Sequence, residues 1–201
     1  MPEIVQVSIG TPEIIGARHG QDVVSSIRKY ALAGTEIVLT PDGILGDEQA
    51  DKRVVGGKRI HGGLLQAVYM YPAAHLGAWA IEIGTSDQPG TFGENLTVTD
   101  LTEEDVRIGD RFSWGNSLLE VTKPRRPCYK LPIHLGVESV AAQMMQNGRC
   151  GWYVSVIEPG TVRQGSGLEL VYSDPAAVTI AETFAAKTRR DPTIPDMPTG
   201  Q

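Results

Sequence analysis

The chain has 201 residues, of which 41% are hydrophobic and 21% charged, and its formal net charge is −6. This composition suits one globular domain, and the acidic balance argues against binding to a nucleic acid polymer. No apolar stretch reaches the eighteen or so residues of a membrane-spanning helix, and the first ten residues lack the pattern of a signal peptide. We therefore expect a cytoplasmic protein that does not enter a membrane.

Short β-type runs dominate the chain and are separated by its 23 glycines and 13 prolines. Alternating apolar residues and turn signals predict strands over residues 4–10, 34–43, 106–122, 152–160 and 167–172. The third of these is predicted to be a hairpin that turns at Gly115 and Asn116.

Helices are fewer, and they are predicted over residues 71–84, 136–148 and 174–190, with a single capped turn at 102–105. Many short strands without a regular βαβ alternation favour a mostly-β barrel or sandwich. The end of the chain is rich in proline and has little to bury. We expect one domain over residues 1–188 and a flexible C-terminal tail over residues 189–201.

The segment KPRRPCYKLP, residues 123–132, gathers four cations around one of only two cysteines in the chain. Its three prolines predict a stiff loop without regular structure. The cations would stabilise a thiolate at Cys128, which suits either a nucleophile or a ligand to a soft metal. An inert cysteine beside a solvated basic turn is the alternative, and the residues alone leave both open. For Cys150, the flanking glycines favour a packing role.

Two other polar stretches lie beside predicted strands. After His61, Gly62 and Gly63 could turn backbone N–H groups toward an anion, although a tight turn also explains the pair. Glu94 and Asn95 either cap a turn or present polar groups to a ligand. The stretch that contains the glycine pair does not match a nucleotide-binding loop.

Six stretches, taken in order, resemble MOSC domains, which are similar to the C-terminal part of molybdenum cofactor sulfurase. The stretches are DGILGDEQAD, HGG followed by AVYMYP, FGENL, IGDRF, RRPCYKL and GRCGWY. The resemblance covers nearly the whole chain and is strongest to the stand-alone bacterial branch associated with resistance to 6-N-hydroxylaminopurine. It implies a MOSC-type β-barrel with a few peripheral helices and a molybdopterin-type molybdenum cofactor.

The resemblance also implies roles for individual residues. Cys128 would be the catalytic residue and the protein ligand to molybdenum. The implied cofactor-binding residues are His61, Gly62, Gly63, Glu94, Asn95, Arg125, Arg126 and Lys130. The chain departs from the branch at Gln66, where lysine is common, and near Ser155, where arginine is usual.

The activity that the resemblance implies is the reduction of small N-hydroxylated compounds such as hydroxylamino bases. No flavin, haem or iron–sulfur motif occurs in the sequence, so an external electron-donor protein would supply the electrons. A persulfide carrier for metal–sulfur cofactor assembly and a non-catalytic cofactor-binding module are alternatives. A Cys–His hydrolase is disfavoured because no third residue is in view to orient His61 as a base.

Overall fold

The computed structural model describes residues 2–34, 36–50, 54–55, 58–59, 62–163 and 165–190. The strands are β1 (Ile4–Ile9), β2 (Glu13–Arg18), β3 (Gln21–Ser25), β4 (Tyr30–Ala31), β5 (Glu36–Thr40), β6 (Gly43–Ile44), β7 (Val54–Val55), β8 (Lys58–Arg59), β9 (Val68–Pro72), β10 (Leu96–Val98), β11 (Arg111–Trp114), β12 (Ser117–Pro124), β13 (Trp152–Glu158), β14 (Gly160–Arg163) and β15 (Leu168–Tyr172). The helices are α1 (Ala73–Ile83), α2 (Lys130–Leu135), α3 (Val140–Asn147) and α4 (Ile180–Arg190), and a 3-10 turn spans Leu64–Gln66.

The main sheet has the strand order β15-β11-β12-β13-β9-β10-β1-β4 and curls into a half-barrel. Its neighbours are antiparallel except for β9 and β10, which run parallel because α1 forms the crossover between them. The other strands form smaller sheets, β14-β5-β6, β2-β3 and β7-β8. The prediction of a mostly-β fold with a few helices is confirmed.

The core lies against the main sheet and contains large aromatic side chains that are fully buried. These include Trp79, Trp114, Trp152, Tyr71, Phe92 and Phe112. The hydroxyl oxygen of Tyr71 accepts a hydrogen bond from the indole N–H of Trp79 at 2.8 Å, and its own hydrogen goes to the carbonyl of Arg149 at 3.0 Å. Buried polar groups usually need such partners, so these bonds help to fix α1 and residue 149 against β9.

The predicted strands correspond to β1, β5, β11, β12, β13 and β15, and the hairpin turns at Gly115 and Asn116 as expected. The sequence analysis did not predict the β2-β3 hairpin or the short strand β10. The helix predicted to start at residue 71 starts at Ala73, because Tyr71 and Pro72 still belong to β9. Local preference is overridden there by pairing with β10 and β13.

The expectation of a loop over all of residues 123–132 is wrong at both ends. Lys123 and Pro124 still belong to β12, where they pair with β13, and α2 begins at Lys130 and continues to Leu135. Pro132 lies in the first turn of this helix, where a backbone N–H has no intrahelical acceptor and its loss costs little. The helix that follows, α3, begins at Val140 rather than at residue 136, because Gly136 is the left-handed cap of α2. It ends at Asn147 with Gly148 as its cap, as predicted.

Helix α4 begins at Ile180 rather than at residue 174, and a capping box sets its start. The Thr179 hydroxyl oxygen accepts a bond from the Glu182 N–H at 3.1 Å, and the Glu182 carboxylate accepts one from the Thr179 N–H at 2.8 Å. The helix reaches Arg190, while residues 191–201 of the predicted flexible tail lie outside the described residues. In the described ranges, every helix is too short or too polar to cross a membrane.

Candidate functional site

Paired strands bring several predicted site residues to one end of the main sheet. A row of partners runs across it through Pro124, Trp152, Met70 and Leu96. Arg125 and Asn95 flank this row and are positioned by backbone bonds. The Arg125 N–H donates to the Gly151 carbonyl at 3.2 Å, and the Asn95 N–H donates to the Tyr69 carbonyl at 2.8 Å. Residues distant in sequence therefore meet because their strands are neighbours.

A cavity of about 100 Å³, which we call the first cavity, lies at this end of the sheet. The predicted site residues that line it are Gly62, Asn95, Arg125, Arg126, Cys128 and Lys130. Gly63 and Glu94 are not among its lining residues, and His61 lies outside the described residues. Another wall, which the sequence analysis did not predict, is formed by Ser25 at the end of β3 and by Ser26, Ile27 and Lys29 between β3 and β4.

Arg125 is a buried cation, only 6% exposed, in the wall of the first cavity. Its guanidinium carbon lies 4.8 Å from the centre of the Tyr69 ring, and its Nη1 donates to the Tyr69 hydroxyl at 3.4 Å. Burial opposes the charge, but Tyr69, Tyr153 and Cys128 favour it, and the pKa of Arg125 is raised above its ordinary value. Within the described ranges Arg125 forms no ion pair with a carboxylate. The guanidinium is therefore a permanent charge in the cavity wall.

Lys130 is a second buried cation, 8% exposed, and no ion pair or hydrogen bond of its side chain is formed within the part of the chain that the structure describes. Lys29 differs, because it forms a buried ion pair with Asp47, whose carboxylate also accepts the Gly10 N–H at 2.8 Å. Burial lowers the pKa of Lys29, and the Asp47 charge opposes that effect. One lysine of the cavity is thus neutralised by a carboxylate and the other is not.

The hydroxyl group of Ser26 also lacks a partner in the first cavity. Ser26 is 7% exposed, and its Oγ makes no hydrogen bond with any described residue. Such groups are uncommon, because a buried unsatisfied polar group costs about 1–3 kcal/mol. A ligand that accepts hydrogen bonds and carries negative charge would satisfy Ser26, Arg125 and Lys130 together.

A family model described as the MOSC domain matches residues 57–169 of the chain. The chain belongs to the MOSC domain family. Protein YiiM of Escherichia coli (strain K12) is 42% identical over 164 residues, which cover 80% of this chain and 70% of that protein. MOSC domains are associated in general with binding of a molybdenum cofactor.

Two further relatives extend the comparison. A protein of Gibberella moniliformis named "Reductase" is 32% identical over 158 residues, which cover 76% of this chain but 26% of that longer protein. The crystal structure of YiiM from Geobacillus stearothermophilus matches with a TM-score of 0.74 at 27% identity, over 94% of this chain and 84% of that one. The predicted MOSC-type fold is confirmed by this likeness.

In this MOSC chain the carboxylate of Glu94 accepts hydrogen bonds from residues close to it in the sequence. It accepts the N–H groups of Gly90 at 2.7 Å and Phe92 at 3.0 Å, and the hydroxyl of Thr97 at 3.0 Å. Glu94 is fully buried, and burial raises its pKa although these hydrogen bonds oppose the shift. Its contacts here are those of a turn-stabilising residue.

Asn95 is also held by the backbone, but it does reach the first cavity. Its side-chain oxygen accepts the Tyr69 N–H at 3.1 Å, and its amide nitrogen donates to the Ser8 carbonyl at 3.1 Å. The amide therefore joins β1, β9 and the start of β10, and one N–H is left over for a ligand. Asn95 thus combines structural hydrogen bonds with a position in the wall of the first cavity.

Cys128 also lines a second cavity, which measures about 460 Å³. The second cavity shares Gln66, Arg126, Cys128 and Tyr153 with the first cavity. Gln66, where the resemblance led us to expect a lysine, lines both cavities. Ser155 lies on β13, where its hydroxyl donates to the Glu120 carbonyl at 3.4 Å, and it lines neither cavity.

Cys150 is fully buried, and burial raises the pKa of its thiol well above the ordinary range. It lines neither of these cavities, whereas half-buried Cys128 lines both. A thiol kept neutral in the core is a poor nucleophile and metal ligand. The two cysteines are therefore in environments that suit different roles.

His134 attaches α2 to the turn that precedes Glu94, and this contact predicts a pH effect on stability. Its Nε2–H donates to the Thr91 carbonyl at 3.1 Å, and its buried Nδ1 has no partner among the described residues. Burial, with Arg28 and Arg125 nearby, lowers the pKa of His134.

This lowered pKa makes stability depend on pH. The imidazole of the unfolded chain takes up a proton near pH 6.5, whereas the imidazole of the folded protein takes it up only at lower pH. The free energy of unfolding therefore falls as the pH drops through 6.5. His134→Gln should weaken this pH dependence in urea titrations at pH 8 to 5, whereas His19→Gln, in an exposed turn, should leave it unchanged.

Proposed function

We propose that this MOSC chain binds a molybdopterin-type molybdenum cofactor through Cys128 and reduces N-hydroxylated small molecules such as hydroxylamino bases. One observation carries the proposal. The buried cations Arg125 and Lys130, which have no carboxylate partner within the described ranges, line the same cavity as Cys128. Buried charge without a counter-charge is costly, so the cavity favours an anionic ligand. A neighbouring thiol favours one that contains a metal with affinity for sulfur.

The residues present fit such a group. Arg125 and Lys130 would bind its phosphate, the Ser26 hydroxyl would donate a hydrogen bond to it, and Cys128 would bind the metal. The first cavity measures about 100 Å³, whereas sites for drug-sized molecules measure roughly 300–1,000 Å³. It therefore suits the phosphate rather than an entire pterin.

When bound, the molybdenum centre would supply two-electron chemistry at the N–O bond of the substrate. Reduction breaks that bond, and two electrons and two protons convert R–NHOH into R–NH₂ and water. The residues of the chain would balance the charge of the cofactor and fix its orientation. An external electron-donor protein would supply the electrons. The fungal relative named "Reductase" supports a reductive activity.

Lys130→Met tests the proposal because it separates folding from cofactor binding. The variant keeps the length of the side chain and removes a buried charge, so the unfolding free energy of the cofactor-free protein should stay the same or rise by about 1 kcal/mol. Molybdenum content after expression in a host that makes the cofactor should fall at least about tenfold. Turnover of 6-N-hydroxylaminopurine to the amine with a chemical reductant should fall in proportion.

Arg163→Gln is the matched control, since Arg163 is an exposed cation on β14 that lines neither cavity. Its metal content and turnover should equal those of the wild type. Full molybdenum content in Lys130→Met would contradict the role of the buried cations. If the wild type contained stoichiometric molybdenum but turned over no substrate, the reductase activity would be contradicted. The alternative of a non-catalytic cofactor-binding module would then be supported.

A further inference from the structure

The second cavity is built from the end of β12, the following loop and helices α3 and α4. Its apolar and aromatic lining includes Tyr153, Met145 and Phe184, which is 5% exposed and packs in the core. Its lining also includes the cations Lys123, Arg126 and Lys187. At about 460 Å³ it falls in the size range of small-molecule sites.

The chemistry of this lining differs from that of the first cavity. No aspartate or glutamate occurs among the described residues that form the second cavity. A flat apolar ring suits the aromatic and thioether side chains, since offset and edge contacts with Tyr and Phe stabilise such rings. The cations suit an anionic substituent on the same molecule.

Cys128 connects the two cavities, because it lines both. Tyr153 also lines both cavities, and its ring packs on that of Tyr69, with ring centres 5.3 Å apart. Tyr69 in turn contacts Arg125 in the first cavity. A ligand in the second cavity would therefore lie next to Cys128, which also lines the cavity of the buried cations.

We propose that the second cavity is the substrate pocket and that it selects aromatic compounds that carry an anionic group. This inference rests on the proposed function and narrows its substrate class. An N-hydroxylated purine is then bound better as its 5′-monophosphate than as its nucleoside or free base. Lys187, on the exposed face of α4, contributes to that selectivity through its charge.

The test measures binding of adenosine 5′-monophosphate and adenosine to the purified, cofactor-loaded protein by calorimetry. At low salt the monophosphate should bind about tenfold more tightly than adenosine, and the preference should shrink in 0.5 M salt because the charges are screened. Lys187→Gln should weaken monophosphate binding about threefold, as expected for one exposed charge, and leave adenosine binding unchanged. Arg163→Gln should alter neither. Benzoate serves as a third probe, and competition with the monophosphate would extend the selectivity from phosphates to carboxylates.

Equal affinities for adenosine and its monophosphate would overturn the inference. Monophosphate binding that occurs only when the cofactor is absent would also overturn it, because the second cavity would then belong to the cofactor. Turnover of N-hydroxylated substrates separates this inference from the proposed function. Selective binding of the monophosphate without turnover of its N-hydroxylated form would contradict the reductase activity and support the anion-selective pocket. Turnover without a preference for the monophosphate would support the reductase activity and contradict the anion-selective pocket.

Discussion

We expect Cys128→Ser to lose nearly all of its molybdenum while it folds normally. The serine hydroxyl is a far weaker ligand than a thiolate for a metal with affinity for sulfur. Cys128 is only half-buried, so the unfolding free energy of the cofactor-free variant should stay within about 1 kcal/mol of the wild type. Elemental analysis, after expression in a host that makes the cofactor, should give near-stoichiometric molybdenum in the wild type and at least about tenfold less in the variant.

Cys150→Ala is the control for this experiment. The variant removes the other thiol, which lies in the core and lines neither cavity. It should lose stability through the small cavity it creates, by about 1 kcal/mol, and keep its metal. Equal molybdenum in the wild type and Cys128→Ser would contradict a thiolate-anchored cofactor. A persulfide trapped on Cys128 in a metal-free wild type would instead support the sulfur-carrier alternative.

Gly151→Ala should be the most destabilising single-methyl change near the site. Gly151 has a φ of +62°, and a Cβ at this position would clash with the Met70 carbonyl oxygen and lie 2.8 Å from the rings of Tyr69 and Tyr71. The backbone conformation and the clash together should lower the free energy of unfolding by about 3–5 kcal/mol, as measured by urea titration. Because the Gly151 carbonyl accepts the Arg125 N–H, metal content should fall as well.

Gly148→Ala is a matched comparison, because Gly148 also has a positive φ, +75°, but nothing lies within 4 Å of an added Cβ. Its cost should be that of the backbone conformation alone, about 1–2 kcal/mol. Similar losses for the two variants would show that the crowding around Gly151 is relieved by a small movement of β9. A larger loss in Gly151→Ala would confirm that the close approach of strands β9 and β13 fixes this end of the sheet.

The sequence predicted elements whose signals are local. The Gly115-Asn116 hairpin and the glycine that caps α3 depend on neighbouring residues, and the structure contains both. The alternation predicted for β1 is wrong in part, because Val5 is exposed, Ser8 is buried and the register of the strand shifts between Ile4 and Gln6. The start of α4 was missed by six positions although its capping box is readable, because apolar residues before Thr179 resemble a helical repeat. Short-range patterns thus give the type of an element more securely than its ends.

The position of Cys128 among cations was visible in one decapeptide, and the order of six motifs identified the family. The partners of those cations were not visible, since Asp47 neutralises Lys29 from eighteen positions away while Lys130 has no carboxylate partner within the described ranges. The sequence also could not predict that the Glu94 carboxylate accepts hydrogen bonds from backbone N–H groups of its own turn. Burial and pairing of charges depend on which strands become neighbours.

By itself, the sequence determined a mostly-β MOSC chain with a cysteine in a basic, proline-rich loop. These properties depend on short sequence patterns and on the order in which the motifs follow one another. Only the tertiary structure decided that Cys128 lines two cavities, that Ser26 lines the first and that Lys187 lines the second. The physical reason is the strand register, in which Pro124, Trp152, Met70 and Leu96 are partners across one end of the sheet. Contacts between residues distant in the chain arise from that pairing and have no local signal.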